Sequence, residues 1–216
     1  MKKSKLASAL IGLMIATGAN MAQATDSVNG SLWHVSEDHA KSAIPANIPA
    51  GAADVTFSVH NLFTFTTESS SATVAAWLAS SHAFNIHENT VNTLTSQMDD
   101  GIKGTIVDFR GVVHLNHNQE FKVTHDDGVT LIINGVDLHL GAGPTSAVDS
   151  EIKWTGATGT YSFELIYAEC CGGPAVLLTE GIHLTSPTPE PETYAMFMAG
   201  LGLMGFIARR RKNGQA

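Results

Sequence analysis

Two neighbouring acidic residues, Asp126 and Asp127, are the strongest candidates for binding chemistry in this sequence. They belong to the segment His125-Asp126-Asp127-Gly128, which lies between two stretches with the alternating pattern of strands. Adjacent carboxylates repel each other, and a hard cation such as Ca²⁺ relieves the repulsion because it binds oxygen atoms from both. The alternative is a solvated turn in which an aspartate caps its own backbone. The segment therefore predicts either a calcium site or a simple turn.

The only two cysteines are adjacent, in the segment Cys170-Cys171-Gly172-Gly173-Pro174. If the chain is exported, two thiols rarely stay free, so each cysteine is expected to bond to its neighbour or to another molecule. A dithiol redox enzyme would use the spacing C-x-x-C, which this pair does not have. We favour a structural disulfide between Cys170 and Cys171.

The sequence contains no recognisable catalytic set. His114 and His117 are three residues apart on an extended stretch, so they point to opposite faces of a strand and are poorly placed to share a metal ion. The H-E-x-x-H pattern of metalloenzymes and the G-x-S-x-G pattern of hydrolases are both missing. We therefore expect a non-enzymatic protein whose histidines lie on the surface or in loops.

Strand-like alternation of apolar and polar residues runs through residues 54–185. The segments with this pattern are residues 55–59, 62–66, 104–115, 119–124, 129–133, 136–140, 151–154, 160–168 and 175–184. Asn134-Gly135 joins two of them and favours a two-residue hairpin turn. Residues 73–80 fit a strand or a helical turn, and residues 84–100 are expected to form an irregular loop. Since no ten-residue helical period occurs, we predict an all-β domain, either a sandwich or a flattened barrel.

A resemblance to the PA14 and fibro-slime group of β domains is carried by two segments, FKVTHDDGVTLIINGVDLHL and TYSFELIYAECCGGPAVLLT. The shared pattern is a strand ending in Asp-Asp, an Asn-Gly hairpin, a Tyr-rich strand, a Gly-rich loop and a closing strand. In the sugar-binding members, an Asp-Asp pair with a cis peptide bond holds calcium, and the calcium binds glycan hydroxyl groups. The resemblance implies these roles for Asp126 and Asp127, with Gly172 and Gly173 in the second ligand-binding loop. That loop, residues 169–174, lacks the Asn that such lectins often use.

The charge of the region between the two termini argues against one class of partner. Residues 25–185 contain five basic and 18 acidic side chains, so this region has a charge of about −13, compared with −8 for the whole chain. A surface of this kind repels phosphate backbones, which makes nucleic acid an unsuitable partner. It suits cations, or neutral ligands that are held through a cation.

The N-terminal segment, residues 1–24, has the pattern of a secretory signal peptide. Three lysines precede an apolar stretch at residues 6–19, and Ala22 and Ala24 form a small-x-small cleavage site. We expect this segment to form a signal helix and the mature chain to begin at Thr25.

Residues 25–53 separate the signal peptide from the strand-rich region. Their pattern is weak, and Pro45 and Pro49 break any helix. We expect a lead-in segment that contributes at most one edge strand near residues 31–35.

The last part of the chain consists of three blocks in a fixed order. These are the motif Pro189-Glu190-Pro191 within a Pro-rich linker at residues 186–193, an uncharged apolar run at residues 194–208, and a basic cluster of Arg209, Arg210, Arg211 and Lys212. The apolar run has 15 residues, which would span about 22 Å as a helix. A bilayer core is about 30 Å thick, so the run is a short membrane span. The basic cluster should stay on the cytoplasmic side.

This order of blocks resembles the PEP-CTERM sorting signal of Gram-negative bacteria. In that family the tail holds an exported protein in the inner membrane until an exosortase processes it near the Pro-Glu-Pro motif. The resemblance implies a transmembrane helix and Arg-rich tail at residues 194–216, with exosortase and the inner membrane as partners. The alternative is an ordinary C-terminal membrane anchor.

Together these features predict an exported, non-enzymatic protein of a Gram-negative cell surface or exopolysaccharide matrix. Its β domain, residues 54–185, lies between the signal helix and the membrane helix and is expected to bind glycan or exopolysaccharide, with calcium as the candidate cofactor. The alternative is a purely structural matrix or biofilm protein in which Asp126 and Asp127 only shape a turn.

Overall fold

The computed structural model of the protein describes residues 27–61, 63–69 and 71–185, together with Leu201. The predicted signal peptide, the Pro-Glu-Pro motif and the basic cluster lie outside the described residues, as does the predicted membrane helix apart from Leu201. Within the described part of the chain, no helix is long and apolar enough to cross a membrane.

Antiparallel strands are the main regular elements of the described structure. The strands are β1 (Ser27–Ser36), β2 (Val55–His60), β3 (Thr64–Thr66), β4 (Phe84–Glu88), β5 (Lys103–Leu115), β6 (Glu120–Asp126), β7 (Gly128–Ile133), β8 (Val136–Asp137), β9 (Val148–Lys153), β10 (Gly159–Glu169), β11 (Val176–Glu180) and β12 (Leu184–Thr185). The helical elements are α1 (Glu37–Ala40), α2 (Val74–Ser80) and a 3₁₀ turn at Pro45–Asn47.

The strands form two antiparallel sheets. The larger, eight-stranded sheet has the order β4-β2-β1-β5-β10-β7-β8, with β12 paired to β5 beside this path. The four-stranded sheet has the order β3-β11-β6-β9. The predicted all-β class is confirmed, and two separate sheets correspond to a sandwich rather than to a flattened barrel.

The core lies between the facing sides of the two sheets. Alternate residues of a strand point to the same side, and inward residues such as Phe109 on β5 and Phe65 on β3 are fully buried. Trp77 of α2 stacks on Phe65 with ring centroids 4.0 Å apart and on Tyr167 with centroids 5.6 Å apart. The aromatic stack therefore leads from the four-stranded sheet to Tyr167 on β10.

Residues 73–80, which fit either a strand or a helical turn in the sequence, form helix α2. The Thr73 hydroxyl caps its N-terminus by accepting a hydrogen bond from the backbone N–H of Ala76 at 3.2 Å. Val74, Trp77 and Leu78 are all buried. Their spacing of three and four residues places them on one helical face, which packs into the core.

The predicted hairpin at Asn134-Gly135 is confirmed. It joins β7 to β8, and the two turn residues have φ values of 52° and 79°. Positive φ at both central residues is the geometry of a type I′ turn, which Asn-Gly favours.

The strand predicted at the sheet edge near residues 31–35 is in the sheet interior. It belongs to β1, which is hydrogen-bonded to β2 on one side and to β5 on the other. The edge position is therefore wrong. Weak alternation misled the prediction, because one inward position of β1 is Gly30, where a Cβ would lie 2.4 Å from the Phe57 ring.

Residues 84–88, expected in an irregular loop, form the edge strand β4. It pairs only with β2 along the sheet order. Four of its five side chains are exposed, which explains their polar, loop-like composition. The loop prediction is wrong for these residues because the alternation of this edge strand is limited to Phe84 and Ile86, which is too short to indicate a strand.

Candidate functional site

Asp126 and Asp127 lie where the chain passes from one sheet to the other. Asp126 is the last residue of β6 in the four-stranded sheet, and Gly128 is the first residue of β7 in the eight-stranded sheet. The peptide bond between the two aspartates is cis, as the PA14 resemblance implied. A side chain at Gly128 would clash, because its Cβ would lie 2.2 Å from the carbonyl oxygen of Ala142. The Asp-Asp-Gly segment is thus an inter-sheet connection.

Both aspartates are buried, in contrast to the solvated turn that the sequence left open. The exposed fractions are 5% for Asp126 and 3% for Asp127. Among the ion pairs of the described residues, none involves either carboxylate. Burial raises the pKa of both carboxyl groups, and the neighbouring charge of Asp127 raises the pKa of Asp126 further. Buried carboxyl groups of this kind bind a cation or take up a proton.

The Asp127 side chain connects two loops. Its Oδ1 accepts a hydrogen bond from the backbone N–H of Thr145 at 2.9 Å, and its Oδ2 accepts one from the N–H of Cys170 at 3.0 Å. The backbone carbonyl oxygen of Asp127 lies 2.6 Å from Nδ1 of His125. Because a carbonyl oxygen can only accept, Nδ1 carries the hydrogen and donates this hydrogen bond. The segments around Thr145 and Cys170 are therefore held against the same carboxylate.

The Asp126 carboxylate is less engaged by the protein. A hydrogen bond from the backbone N–H of Ala147 opposes the rise of its pKa. Its two oxygens face Gly173, where a Cβ would lie 3.8 Å and 3.9 Å from them. Gly173 has a φ of +119°, so glycine both suits this backbone conformation and leaves the space beside Asp126 open.

The two carboxylates line a surface concavity of about 410 Å³. Its other lining residues are Pro144, Thr145, Ser146, Cys171, Gly172, Gly173 and Pro174. The structure therefore brings Asp126 and Asp127 together with Gly172 and Gly173, the residues proposed for ligand binding. Their role in binding stays a prediction.

Two other concavities, of about 610 and 590 Å³, are larger, but their acidic side chains form ion pairs with basic ones. In the first, Lys122 contacts Glu180 at 3.3 Å. In the second, Arg110 contacts Asp108 at 2.7 Å and Glu164 at 2.5 Å. The concavity at Asp126 is therefore distinguished by acidic groups without a basic side chain beside them.

Sequence analysis missed the buried pair Tyr167 and Glu169 beneath the aspartates. The Tyr167 hydroxyl contacts the carbonyl oxygen of Asp126 and lies 2.5 Å from Oε2 of Glu169. Burial raises the pKa of Glu169 to about 9, with the charges of Asp127 and Asp126 adding to the rise. At neutral pH the protonated carboxyl group of Glu169 can donate a hydrogen bond to the Tyr167 hydroxyl oxygen. The hydroxyl proton of Tyr167 is then free to donate to the carbonyl oxygen of Asp126. The only signal in the sequence was the Tyr-x-Glu spacing, which places both side chains on one face of β10.

Asp99, which the sequence placed only at the end of a loop, also holds the 169–174 loop. It is 5% exposed. Its Oδ2 accepts a hydrogen bond from the N–H of Gly172 at 2.8 Å, and its Oδ1 accepts one from the N–H of Gly101 at 3.0 Å. Two carboxylates, Asp99 and Asp127, therefore fix the backbone of this loop.

The structure does not contain the predicted bond between Cys170 and Cys171, because both are free thiols. Cys170 is buried and Cys171 is exposed. Burial raises the pKa of the Cys170 thiol, and its neighbour Cys171 raises it further. Cys171 has a φ of 67°, which turns the chain at this point and gives the two side chains different surroundings.

The structure does not bring His114 and His117 into one site. Both are exposed, and their ring nitrogens contact separate partners. His114 Nδ1 lies 3.2 Å from the Thr160 hydroxyl, and His117 Nδ1 lies 2.9 Å from the Gly156 carbonyl oxygen. Their surface position agrees with the prediction, but the prediction is wrong for His125, which lies on β6 and is buried.

The solved structures to which this chain is similar include two PA14 domains. The first is the PA14 domain of the MpAFP antifreeze protein, with a TM-score of 0.47 and 16% identity over 74% of this chain and 86% of that chain. The second is a PA14 sugar-binding domain from an RTX adhesin, with a TM-score of 0.49 and 22% identity over 72% of this chain and 88% of that chain. No curated protein matches the sequence.

The C-terminal tail matches a known family model. The PEP-CTERM protein-sorting motif matches residues 187–212, which include Pro189-Glu190-Pro191 and the basic cluster. This confirms the resemblance seen in the three blocks of the tail. The chain is thus an exported protein that carries a PEP-CTERM sorting motif, with a membrane-anchored intermediate, and its described part is a two-sheet β domain.

Proposed function

We propose that the β domain binds glycans in a calcium-dependent manner through Asp126 and Asp127. One observation carries the proposal. Two adjacent buried carboxylates line a concavity and form no ion pair among the described residues. Buried charges without a partner are unfavourable, so a bound cation would stabilise the ionised form of both groups.

The available donor atoms fit a hard cation. Calcium takes about six to eight oxygen ligands, and the two carboxylates offer up to four. Because the Asp126 oxygens face open space beside Gly173, water and ligand hydroxyl groups can reach the same position. Calcium bound here would supply direct coordination of sugar hydroxyls.

The loop at residues 169–174 lines the concavity with glycines and backbone atoms and offers no Asn side chain as a ligand. Gly172 has a φ of +78° with nothing within 4 Å of a Cβ position, and Gly173 faces the Asp126 carboxylate. The glycines therefore keep the concavity open for a ligand. Asp99 and Asp127 hold this loop through its backbone N–H groups, which gives the concavity a fixed wall.

A structural matrix protein without a ligand site is the second candidate. It is favoured by the two hydrogen bonds that Asp127 accepts from the loops, since these alone give the residue a structural role. The two candidates differ at Asp126, whose carboxylate has no comparable pair of contacts. In the structural candidate, neutralising Asp126 has no effect on any ligand.

The sorting tail is the basis for the proposed location. We infer that an exosortase processes the chain near Pro189-Glu190-Pro191 and that the domain then acts at the cell surface or in the exopolysaccharide matrix. The charge of about −13 on residues 25–185 suits a neutral glycan or one bridged by a cation.

Retention on polysaccharide from the producing cells tests the proposal. Wild-type protein should be retained with Ca²⁺ and released by a chelator, whereas Asp126→Asn should pass through, because the substitution removes charge and preserves shape. Asp126 is a better target than Asp127, where an amide nitrogen would face a backbone N–H donor.

Asp38→Asn is the matched control, since it makes the same chemical change at an exposed residue whose ion pair, among the described residues, is with Lys41. It should behave as wild type. Calcium-dependent retention that is equal in Asp126→Asn and wild type would contradict the proposed site.

A further inference from the structure

A second set of potential ligand atoms lies beside the paired aspartates. Asp127, Cys170 and Cys171 each offer one atom, a carboxylate oxygen and two sulfurs, and these atoms lie within 4.8 Å of one another. Among the His, Cys, Asp and Glu side chains of the described residues, these three form the one group whose ligand atoms lie this close together. The set differs from the Asp126–Asp127 pair because two of its three atoms are soft donors.

We propose that Asp127, Cys170 and Cys171 form a binding site for a thiophilic divalent cation such as Zn²⁺. Thiolate ligands select such cations over calcium and magnesium, which prefer oxygen. In a tetrahedral zinc site with bonds of about 2.0–2.3 Å, neighbouring ligand atoms are roughly 3.5–3.8 Å apart. All three atoms already lie within 4.8 Å of one another, so no large rearrangement separates them from that geometry.

The surrounding contacts hold the ligands in place. The backbone N–H of Cys170 donates to Oδ2 of Asp127 at 3.0 Å, which ties one sulfur ligand to the carboxylate ligand. Oδ1 of the same carboxylate accepts from Thr145, and Asp99 holds the next residue of the loop, Gly172. The site is therefore organised before a cation binds.

The two sulfur atoms also provide a way in. Cys170 is buried, whereas Cys171 is exposed and lines the concavity. A cation can thus first bind to Cys171 at the surface, and Cys170 and Asp127 then complete its set of protein ligands. Three protein ligands leave a fourth position of a tetrahedral ion for water or a bound group.

This site is separate from the proposed calcium site in all but one residue. Asp127 belongs to both sets, but Asp126 serves only the calcium site and Cys171 only the thiophilic site. Variants of Asp126 and Cys171 therefore distinguish them. The proposal does not depend on glycan binding.

Cobalt binding to the reduced full-length protein tests the inference, because Co²⁺ substitutes for Zn²⁺ and reports thiolate ligands through a charge-transfer band in the near ultraviolet. Wild-type protein, kept reduced with a non-chelating phosphine, should bind one Co²⁺ per chain with this band. Zn²⁺ should abolish the band, because it displaces Co²⁺ from the same three ligands. Zn²⁺ should also protect Cys171 from alkylation.

Cys171→Ser should lose at least half of the band, because one of the two sulfur ligands is removed. Since the side chain is exposed, the circular dichroism spectrum should be unchanged. Cys171→Ala provides a second variant with the same expectation. Asp126→Asn should keep the band, which separates this site from the calcium site. Absence of the band in wild type, or an undiminished band in both Cys171 variants, would overturn the proposal.

Discussion

At the scale of single residues, burial determines the chemistry of Glu169. The protonated carboxyl group lies under Asp126 and Asp127, with Tyr167 between it and the Asp126 carbonyl. Its pKa is about 9 in the folded protein, compared with an ordinary value of 4.5. Glu169 therefore supports the site as a neutral hydrogen-bonding group and adds no fourth negative charge beside Asp99, Asp126 and Asp127.

This pKa predicts how stability depends on pH. Between pH 4.5 and about 9, folded Glu169 holds a proton that the unfolded residue has lost. The free energy of unfolding should therefore fall as pH rises through this window, and the contribution of Glu169 should level off above it. The slope from this one group is at most about 1.4 kcal/mol per pH unit.

Glu169→Gln should flatten the slope and raise stability most at the alkaline end, because the amide is neutral at every pH. Denaturant unfolding from pH 5.5 to 8.5 measures the effect. A smaller slope of the same sign should remain, since the pKa values of Asp126 and Asp127 are also raised. Glu151→Gln, at an exposed position, should leave the slope as in wild type. Parallel curves for Glu169→Gln and wild type would disprove the assignment.

Whether the role of a single residue can be predicted from the sequence depends on whether the pattern that reveals it lies in neighbouring residues. Asp126 and Asp127 were recognisable because they are adjacent and precede a hairpin. Tyr167, Glu169 and Asp99 were not, because their roles arise from contacts between distant strands and loops. For example, Asp99 contacts Gly172 across 73 positions of sequence, and no spacing rule in one sequence reveals such a pair.

At the scale of elements, the same distinction separates the confirmed strands from the misplaced ones. The β7–β8 hairpin follows from Asn134-Gly135 alone. The interior position of β1 follows instead from pairings such as Trp33 with Ile106, which lie far apart in the sequence. Likewise β4 is a strand because β2 pairs with it, and its own side chains carry little pattern.

The hairpin gives a direct test at this scale. Gly135→Ala should lower the free energy of unfolding by about 1–2 kcal/mol, because an L-residue is unfavourable in left-handed backbone geometry. Gly135 has a φ of +79° and nothing lies within 4 Å of its Cβ position, so no clash contributes. Thermal or denaturant unfolding measures the change.

Gly51→Ala is the matched control, since its Cβ position is also open and its φ is not left-handed. That variant should be neutral or more stable by up to about 1 kcal/mol. If both variants behave alike, the conformational explanation of the turn is wrong.

At the scale of the whole molecule, a β domain with an acidic surface is combined with a sorting tail. The tail was recognisable from sequence because its three blocks are contiguous, and the family model matches the same residues, 187–212. The proposed glycan role of the domain could not be recognised in the same way, because a ligand is selected by a concavity that several elements build together.

Deleting residues 187–216 should release the protein from the membrane fraction, because the apolar run and the basic cluster are then missing. Fractionation of cells that express each form measures this. In a host without exosortase, the full-length chain should stay in the membrane with its tail intact. A full-length protein that leaves normal cells with an intact tail, without passing through the membrane fraction, would contradict the sorting account.

The central claim is that Asp126 and Asp127 hold a calcium ion for glycan binding, and calorimetric titration of Ca²⁺ into the full-length protein tests it most directly. Wild type should bind one Ca²⁺ per chain. Asp126→Asn should lose the binding heat, while Asp38→Asn and Cys171→Ser should keep it. No binding heat in wild type, or equal heat in wild type and Asp126→Asn, would contradict the claim and favour a purely structural role for the paired aspartates.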